Sequence, residues 1–201
     1  MLEQQLVNAE AQKWLDGQVL FLNKPLGWTS FDLVKKVRYS LRNHFGLKKI
    51  KVGHAGTLDP LATGMMIVCT GRATKTLINY QDMGKEYVAG IRLGSTTPSF
   101  DLETEVDARF PTDQITKEQV EEILSKMIGP QMQVPPLFSA KKINGKRAYD
   151  IAREGNTVEI KAQSIVISEL ELLSFELPEL KIRVSCSKGT YIRSLARDLG
   201  I

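Results

Sequence analysis

Between Gly53 and Gly64 the chain reads Gly-His-Ala-Gly-Thr-Leu-Asp-Pro-Leu-Ala-Thr-Gly, three glycines and a proline in twelve residues, and the apolar run Met65 to Thr70 follows at once. Glycine admits left-handed backbone and close approach, while proline fixes φ and lacks a donor. The stretch therefore cannot continue a helix or a central strand; it predicts a tight loop that feeds directly into a buried strand. Such a loop is where backbone comes close to a ligand. Its N-terminal flank is cationic: no acidic residue lies between Asp32 and Asp59, whereas Lys35, Lys36, Arg38, Arg42, Lys48, Lys49 and Lys51 supply seven positive charges.

The surrounding pattern mixes strands and helices. Gln18 to Asn23 is a strand candidate, and Lys24-Pro25-Leu26-Gly27 a turn. Ser30 is expected to cap a helix with Phe31, Val34, Val37 and Leu41 on its apolar face. Ala73 to Tyr80 reads as a short helix and Lys85 to Leu93 as a strand. Thr116 with Gln119 signals a capping box for a helix stopped by Gly129-Pro130. Ala148 to Glu154 reads as a helix ended by Gly155. Thr157 to Ala162, Ser164 to Ser174 and Leu180 to Cys186 read as strands, and Thr190 as the cap of a final helix from Tyr191 to Leu199. Without a regular βαβ alternation, this order predicts an α+β fold.

The 201 residues, 42% hydrophobic and 25% charged, suffice for a self-supporting core and exclude a disordered or low-complexity chain. Net charge is only +4, but residues 1–100 carry 13 cations against 7 anions and residues 101–201 carry 14 against 16. A second basic island, Lys141, Lys142, Lys146, Arg147 and Arg153, follows the acidic stretch. Clustered cations suit a polyanion, since each neutralised phosphate releases a counterion, although a solvated face has the same composition. Cys69 and Cys186 are expected to fill strand interiors; with His44 and His54 they are too few for a zinc site. No dinucleotide or P-loop motif occurs, so no cofactor is expected. No apolar run spans a bilayer and no basic leader precedes one, which predicts a cytoplasmic protein with no membrane association.

Six segments resemble, in order and spacing, the motifs of the TruB-type tRNA pseudouridine(55) synthases. The loop Gly53 to Gly64 resembles the catalytic motif, and Lys24-Pro25-Leu26-Gly27-Trp28-Thr29-Ser30 the opening KPxGxTS motif. Gly71 to Lys75, Lys85-Glu86-Tyr87, Pro135 to Lys142 and Cys186 to Arg193 resemble the G-x-ATK, K-x-Y, PPxxSAxK and CSKGTYIR segments. The resemblance runs from about Gln18 to the last residue. It implies a pseudouridine synthase fold, a central mixed, mostly antiparallel sheet flanked by helices. Residues 1–17 would be an N-terminal extension and residues 18–201 the catalytic domain. The chain is expected to lack the further C-terminal segment and PUA domain that relatives carry.

The same resemblance implies isomerisation of a T-loop uridine of tRNA to pseudouridine after base flipping. Asp59 would be the nucleophile, acting at ribose C1′, at base C6 or in a glycal route, and Arg193 would pair with it and keep it ionised. Early in its helix, Arg193 gains nothing from the dipole, which points to a functional reason for a cation there. Tyr87 would stack on the target base and is a candidate general base, and Tyr191 would line the pocket, although an aromatic residue on a strand is ordinarily core. His54, Lys24, Lys75, Lys141 and Lys142 would contact RNA, with a structural ion pair the competing reading for Lys24 and Lys75. The acidic segment Thr96 to Asp107 is expected away from the binding face. Partners are the T-arm of tRNA and no obligate protein, with the chain a monomer. Two other readings remain: a tRNA-binding or folding-assistance module without turnover, and a synthase acting on another RNA.

Overall fold

The apolar run after the glycine loop becomes the middle strand of a three-stranded sheet, as its lack of polar alternation predicts. The structure, a computed structural model, describes residues 2–139, 141–143, 145–153 and 158–200, and the chain divides into two units, residues 1–83 and 84–201. The first unit runs α1 (Leu2–Asp16), β1 (Val19–Lys24), α2 (Ser30–Phe45), β2 (Val52–His54), β3 (Gly64–Thr70), a 3-10 turn (Gly71–Thr76) and α3 (Leu77–Gln81). β3 lies between β1 and β2, antiparallel to both. Its Met66 and Val68 are buried with Leu33, Val34 and Leu41 of α2 and Val52 of β2.

Residues 1–17 supply α1, whose Trp14 and Leu15 pack on this core. Gly71 sits at φ +51, and a Cβ there would come within 2.0 Å of the Leu15 carbonyl oxygen. The Thr70 hydroxyl completes the seam, donating to Trp14 O and accepting from the Gln18 amide, both at 3.0 Å. The expected face of α2 holds at Val34, Val37 and Leu41 and departs at Phe31. Phe31 is half exposed under the Lys35 ammonium, and Leu33 takes the core position instead. The cap is Thr29, whose hydroxyl accepts from the Asp32 amide while the Asp32 carboxylate accepts from the Thr29 amide. Ser30, expected as the cap, is buried and committed elsewhere.

The second unit contains β4 (Lys85–Arg92), β5 (Ser95–Thr96), β6 (Ala108–Arg109), α4 (Lys117–Lys126), β7 (Gly129–Gln133), β8 (Lys142–Ile143), β9 (Lys146–Arg147), α5 (Ala148–Arg153), β10 (Gln163–Glu176), β11 (Glu179–Cys186) and α6 (Ile192–Leu199). Its main sheet has the order β4-β11-β10-β7, and every strand pairing among the described residues is antiparallel. Val120 and Leu124 of α4, with Leu195 and Leu199 of α6, cover Ile165, Ile167, Ile182 and Val184. Each fully buried aliphatic side chain of this kind contributes about 1.5–3 kcal/mol. The Thr116–Gln119 capping box forms as read from the sequence.

Several boundaries differ from the sequence reading, and the helix read over Ala73 to Tyr80 is a 3-10 turn, Gly71–Thr76, followed by α3. Residues 158–162 form no strand, and β10 starts at Gln163, where pairing with Gln133 begins. The Gly129-Pro130 stop is itself the start of β7. Thr190 does not cap the last helix: its hydroxyl donates to Ser187 O at 2.9 Å, and Tyr191 takes the cap position. Glu154, Gly155 and Thr157, given roles above, lie outside the described residues.

Candidate active site

The loop between β2 and β3 is held by the segment that joins β1 to α2. Lys24 ends β1 opposite Gly64, the first residue of β3, so its side chain lies beneath the loop. It is wholly buried, and its Nζ donates to the carbonyl oxygens of Trp28 at 2.6 Å, Pro25 at 3.1 Å and Pro60 at 3.4 Å. The Gly27 amide donates to the same Pro60 oxygen at 2.9 Å. Ser30 closes the other side, its hydroxyl accepting from the Leu58 amide at 2.9 Å and donating to the Leu58 carbonyl at 3.0 Å. Both peptide neighbours of Asp59 are thereby anchored, and Asp59 O accepts from the Ala62 amide at 3.0 Å.

Lys24 therefore does not reach out to RNA as expected: a fully enclosed ammonium with three carbonyl partners is an internal brace. Burial pushes its pKa below the ordinary lysine value, and attraction to Asp59 opposes that shift. The carboxylate consequently has a buried cation near it within its own unit. His54, at the end of β2, holds Nδ1 2.6 Å from Gly56 O. A carbonyl only accepts, so Nδ1 carries the hydrogen.

Of the seven cations in the flank, Arg38, Lys49 and Lys51 line a shallow hollow that also takes in Gly53 and Thr74, and Lys49, Lys51, Arg72 and Lys75 line the adjoining one. Lys75 is exposed there.

In the second unit the centre is Arg193, in the first turn of α6. Its guanidinium donates to Ser99 O at 3.1 Å and Phe138 O at 3.0 Å, and Nη1 lies 3.3 Å from Asp101 Oδ2. Only 12% of the Arg193 side chain and 14% of the Asp101 side chain are exposed, so this is no screened surface pair. Asp101 Oδ1 accepts from Ser99 Oγ at 2.6 Å and from the Glu103 amide at 2.9 Å. The acidic segment placed away from the site thus returns to one of its expected residues. The loop between β5 and β6 carries Asp101 there, and charge counting alone could not distinguish an aimed carboxylate from a repelling one.

Tyr87 is half-buried on β4 opposite Val184, with one side against the second core. Tyr191 is held through its backbone: Gln133 Oε1 accepts from the Tyr191 amide at 2.8 Å and Gln133 Nε2 donates to Tyr191 O at 3.1 Å. Gln133 is buried and was missed from the sequence; its signal is its place two residues before the Pro135-Pro136 motif. Ser194 Oγ donates to Val134 O at 2.8 Å, so β7 and its exit fix the start of α6 and with it Arg193. Lys141 Nζ donates to Lys161 O at 3.4 Å and Gln163 Oε1 at 3.3 Å, which ties it to β10. Lys142 lies on β8 opposite Arg147.

A chain in the crystal structure of a Cbf5-Nop10-Gar1 complex superposes with a TM-score of 0.66 at 25% identity over 96% of this chain. A structure of an H/ACA RNP bound to a substrate RNA containing 2′-deoxyuridine gives 0.63 at 24% identity. This chain spans less than half the length of those solved chains, 45% and 43%. Residues 42–192 match the TruB family pseudouridylate synthase (N terminal domain). A tRNA pseudouridine synthase B of Parabacteroides distasonis is 62% identical over 93% of this chain and 80% of its own length. That of Flavobacterium johnsoniae is 50% identical over 94% and 83%. The chain belongs to the TruB family of pseudouridylate synthases.

Proposed function

We propose that this chain converts a uridine in the T-loop of tRNA, position 55, to pseudouridine, with Asp59 as nucleophile. The observation that carries the reading is the bracing of Asp59: Ser30 fixes both polar groups of the residue before it, and Lys24 with Gly27 holds the carbonyl of the residue after it. A reacting carboxylate must keep its position while the base moves, and backbone anchoring on both sides supplies that. In the reaction the C1′–N1 bond breaks, the base turns and C1′–C5 forms; C5 loses a proton and N1 gains one. No redox partner is needed.

On this reading Arg193 pairs with Asp59 and keeps it ionised, Tyr87 stacks on the flipped base, and Tyr191 lines the pocket. His54 and Lys75 meet RNA beside the loop, with Arg38, Lys49, Lys51 and Arg72 neutralising phosphates. Lys141 and Lys142 belong to a second basic contact, and Lys24 acts from beneath the loop. Family membership and relatives named tRNA pseudouridine synthase B support tRNA as substrate. The T-arm is recognised by the monomer without a protein partner.

The test is pseudouridine mapping on an unmodified tRNA transcript, a T-arm hairpin and a ribosomal RNA fragment. Product at the T-loop uridine of the first two supports the reading. Binding without product would favour an RNA-binding module, and product in the ribosomal fragment alone would move the substrate to another RNA.

A further inference from the structure

Two arginines one turn apart on α6 grip three consecutive residues of the loop between β5 and β6. Arg193 takes the Ser99 carbonyl and the Asp101 carboxylate, while the Arg197 guanidinium lies 4.9 Å over the ring of Phe100 between them. Phe100 is the one non-glycine residue at positive φ among the described residues, at +59°. L side chains rarely adopt that conformation, and a bulky one keeps it only where the surroundings impose it. The turn itself leaves Phe100 one backbone bond, its amide to Thr97 O at 3.1 Å. Arg197 is in turn oriented by Asp198, whose Oδ1 accepts from Arg197 Nε at 2.7 Å.

The left-handed turn has a direct consequence for Asp101. It reverses the chain immediately before the carboxylate, where Oδ1 meets Ser99 Oγ and the Glu103 amide and Oδ2 turns to Arg193. In an ordinary right-handed or extended conformation at Phe100 the same side chain would leave this set. Cation–π attraction in a half-buried setting is strong enough to select between such alternatives.

We propose that Arg197 and Phe100 are a positioning pair for the active site: Arg197 holds the Phe100 turn that aims Asp101 at Arg193. The inference rests on the role given above to Arg193. Neither residue touches the substrate; they act through Asp101 and determine how rigidly Arg193 is presented.

The test uses the full chain and an unmodified tRNA transcript. Arg197→Met and Phe100→Leu are each expected to lower kcat about three- to tenfold with KM nearly unchanged. The double variant should be no worse than either single one. Phe100→Trp, which keeps a π face, should retain turnover, and Phe100→Gly, which tolerates positive φ, should make turnover insensitive to Arg197→Met. A second readout does not depend on turnover: amide exchange at Glu103, measured by NMR, should quicken in Arg197→Met and Phe100→Leu but not in Phe100→Trp. Unchanged kcat and unchanged Glu103 exchange in Arg197→Met would overturn the proposal, as would a lowered melting temperature with kcat intact. Arg193→Lys separates the two levels: if it leaves turnover unaltered, the role of Arg193 fails; if it abolishes turnover while Arg197→Met does nothing, only the positioning pair fails.

Discussion

The hydroxyl of Ser30 both accepts from the amide of Leu58 and donates to its carbonyl, at 2.9 and 3.0 Å, across 28 residues of sequence. One side chain thereby fixes both polar groups of the residue before Asp59. Ser30→Ala leaves a partly buried amide and carbonyl without their partner, a cost of about 1–3 kcal/mol. Urea unfolding should show that loss, and turnover should fall more steeply than stability explains because the loop is released.

Lys24→Met removes the shared donor from Trp28 and Pro60 while keeping the volume. Misplacing a reacting group by an ångström costs about a hundredfold, and a kcat reduction of that order is expected with RNA affinity preserved. The pH dependence has a definite sign. Burial lowers the Lys24 pKa, so the folded state disfavours the charged amine and gives up its proton before the unfolded chain does. This penalty is fully present below the folded pKa and is relieved as pH rises towards the unfolded lysine value. The stability of the native chain relative to Lys24→Met should therefore improve over that alkaline window.

Asp101→Asn strips the carboxylate from a nearly enclosed arginine. Removing one partner of a buried pair costs about 3 kcal/mol. Thermal unfolding should report that loss, and turnover should drop by at least about tenfold as Arg193 loses its anchor.

Both cysteines are buried, and burial raises each thiol pKa above its ordinary value. The thiolate is the reactive form, so native protein at pH 8 should be inert to a thiol reagent such as 5,5′-dithiobis(2-nitrobenzoic acid). Two equivalents should react after denaturation.

The elements governed by local chemistry were legible in the sequence: β3 from its apolar run, α4 from its capping box, and the glycine loop from its composition. Long-range commitments were not. Ser30 looks like a cap because it stands beside a helix start, yet Thr29 does that work and leaves the Ser30 hydroxyl for Leu58. Lys24 reads from sequence as either an RNA contact or a structural ion pair, and its three carbonyl partners come together only when the loop folds over it. Asp101 is one of several carboxylates in an acidic stretch, and only the β5–β6 loop geometry selects it. Helix α1 carries no such local signal, and the packing of its Trp14 and Leu15 on the first core emerges only with the fold.

The central claim is that Asp59 is the nucleophile of a tRNA uridine isomerisation. Single-turnover pseudouridine formation on a tRNA transcript, measured beside the affinity of native protein and Asp59→Asn for the same RNA, tests it most directly. The account predicts that Asp59→Asn binds tRNA as the native chain does and forms product at less than about one thousandth of its rate. Product formation by Asp59→Asn at a rate near the native one would contradict it.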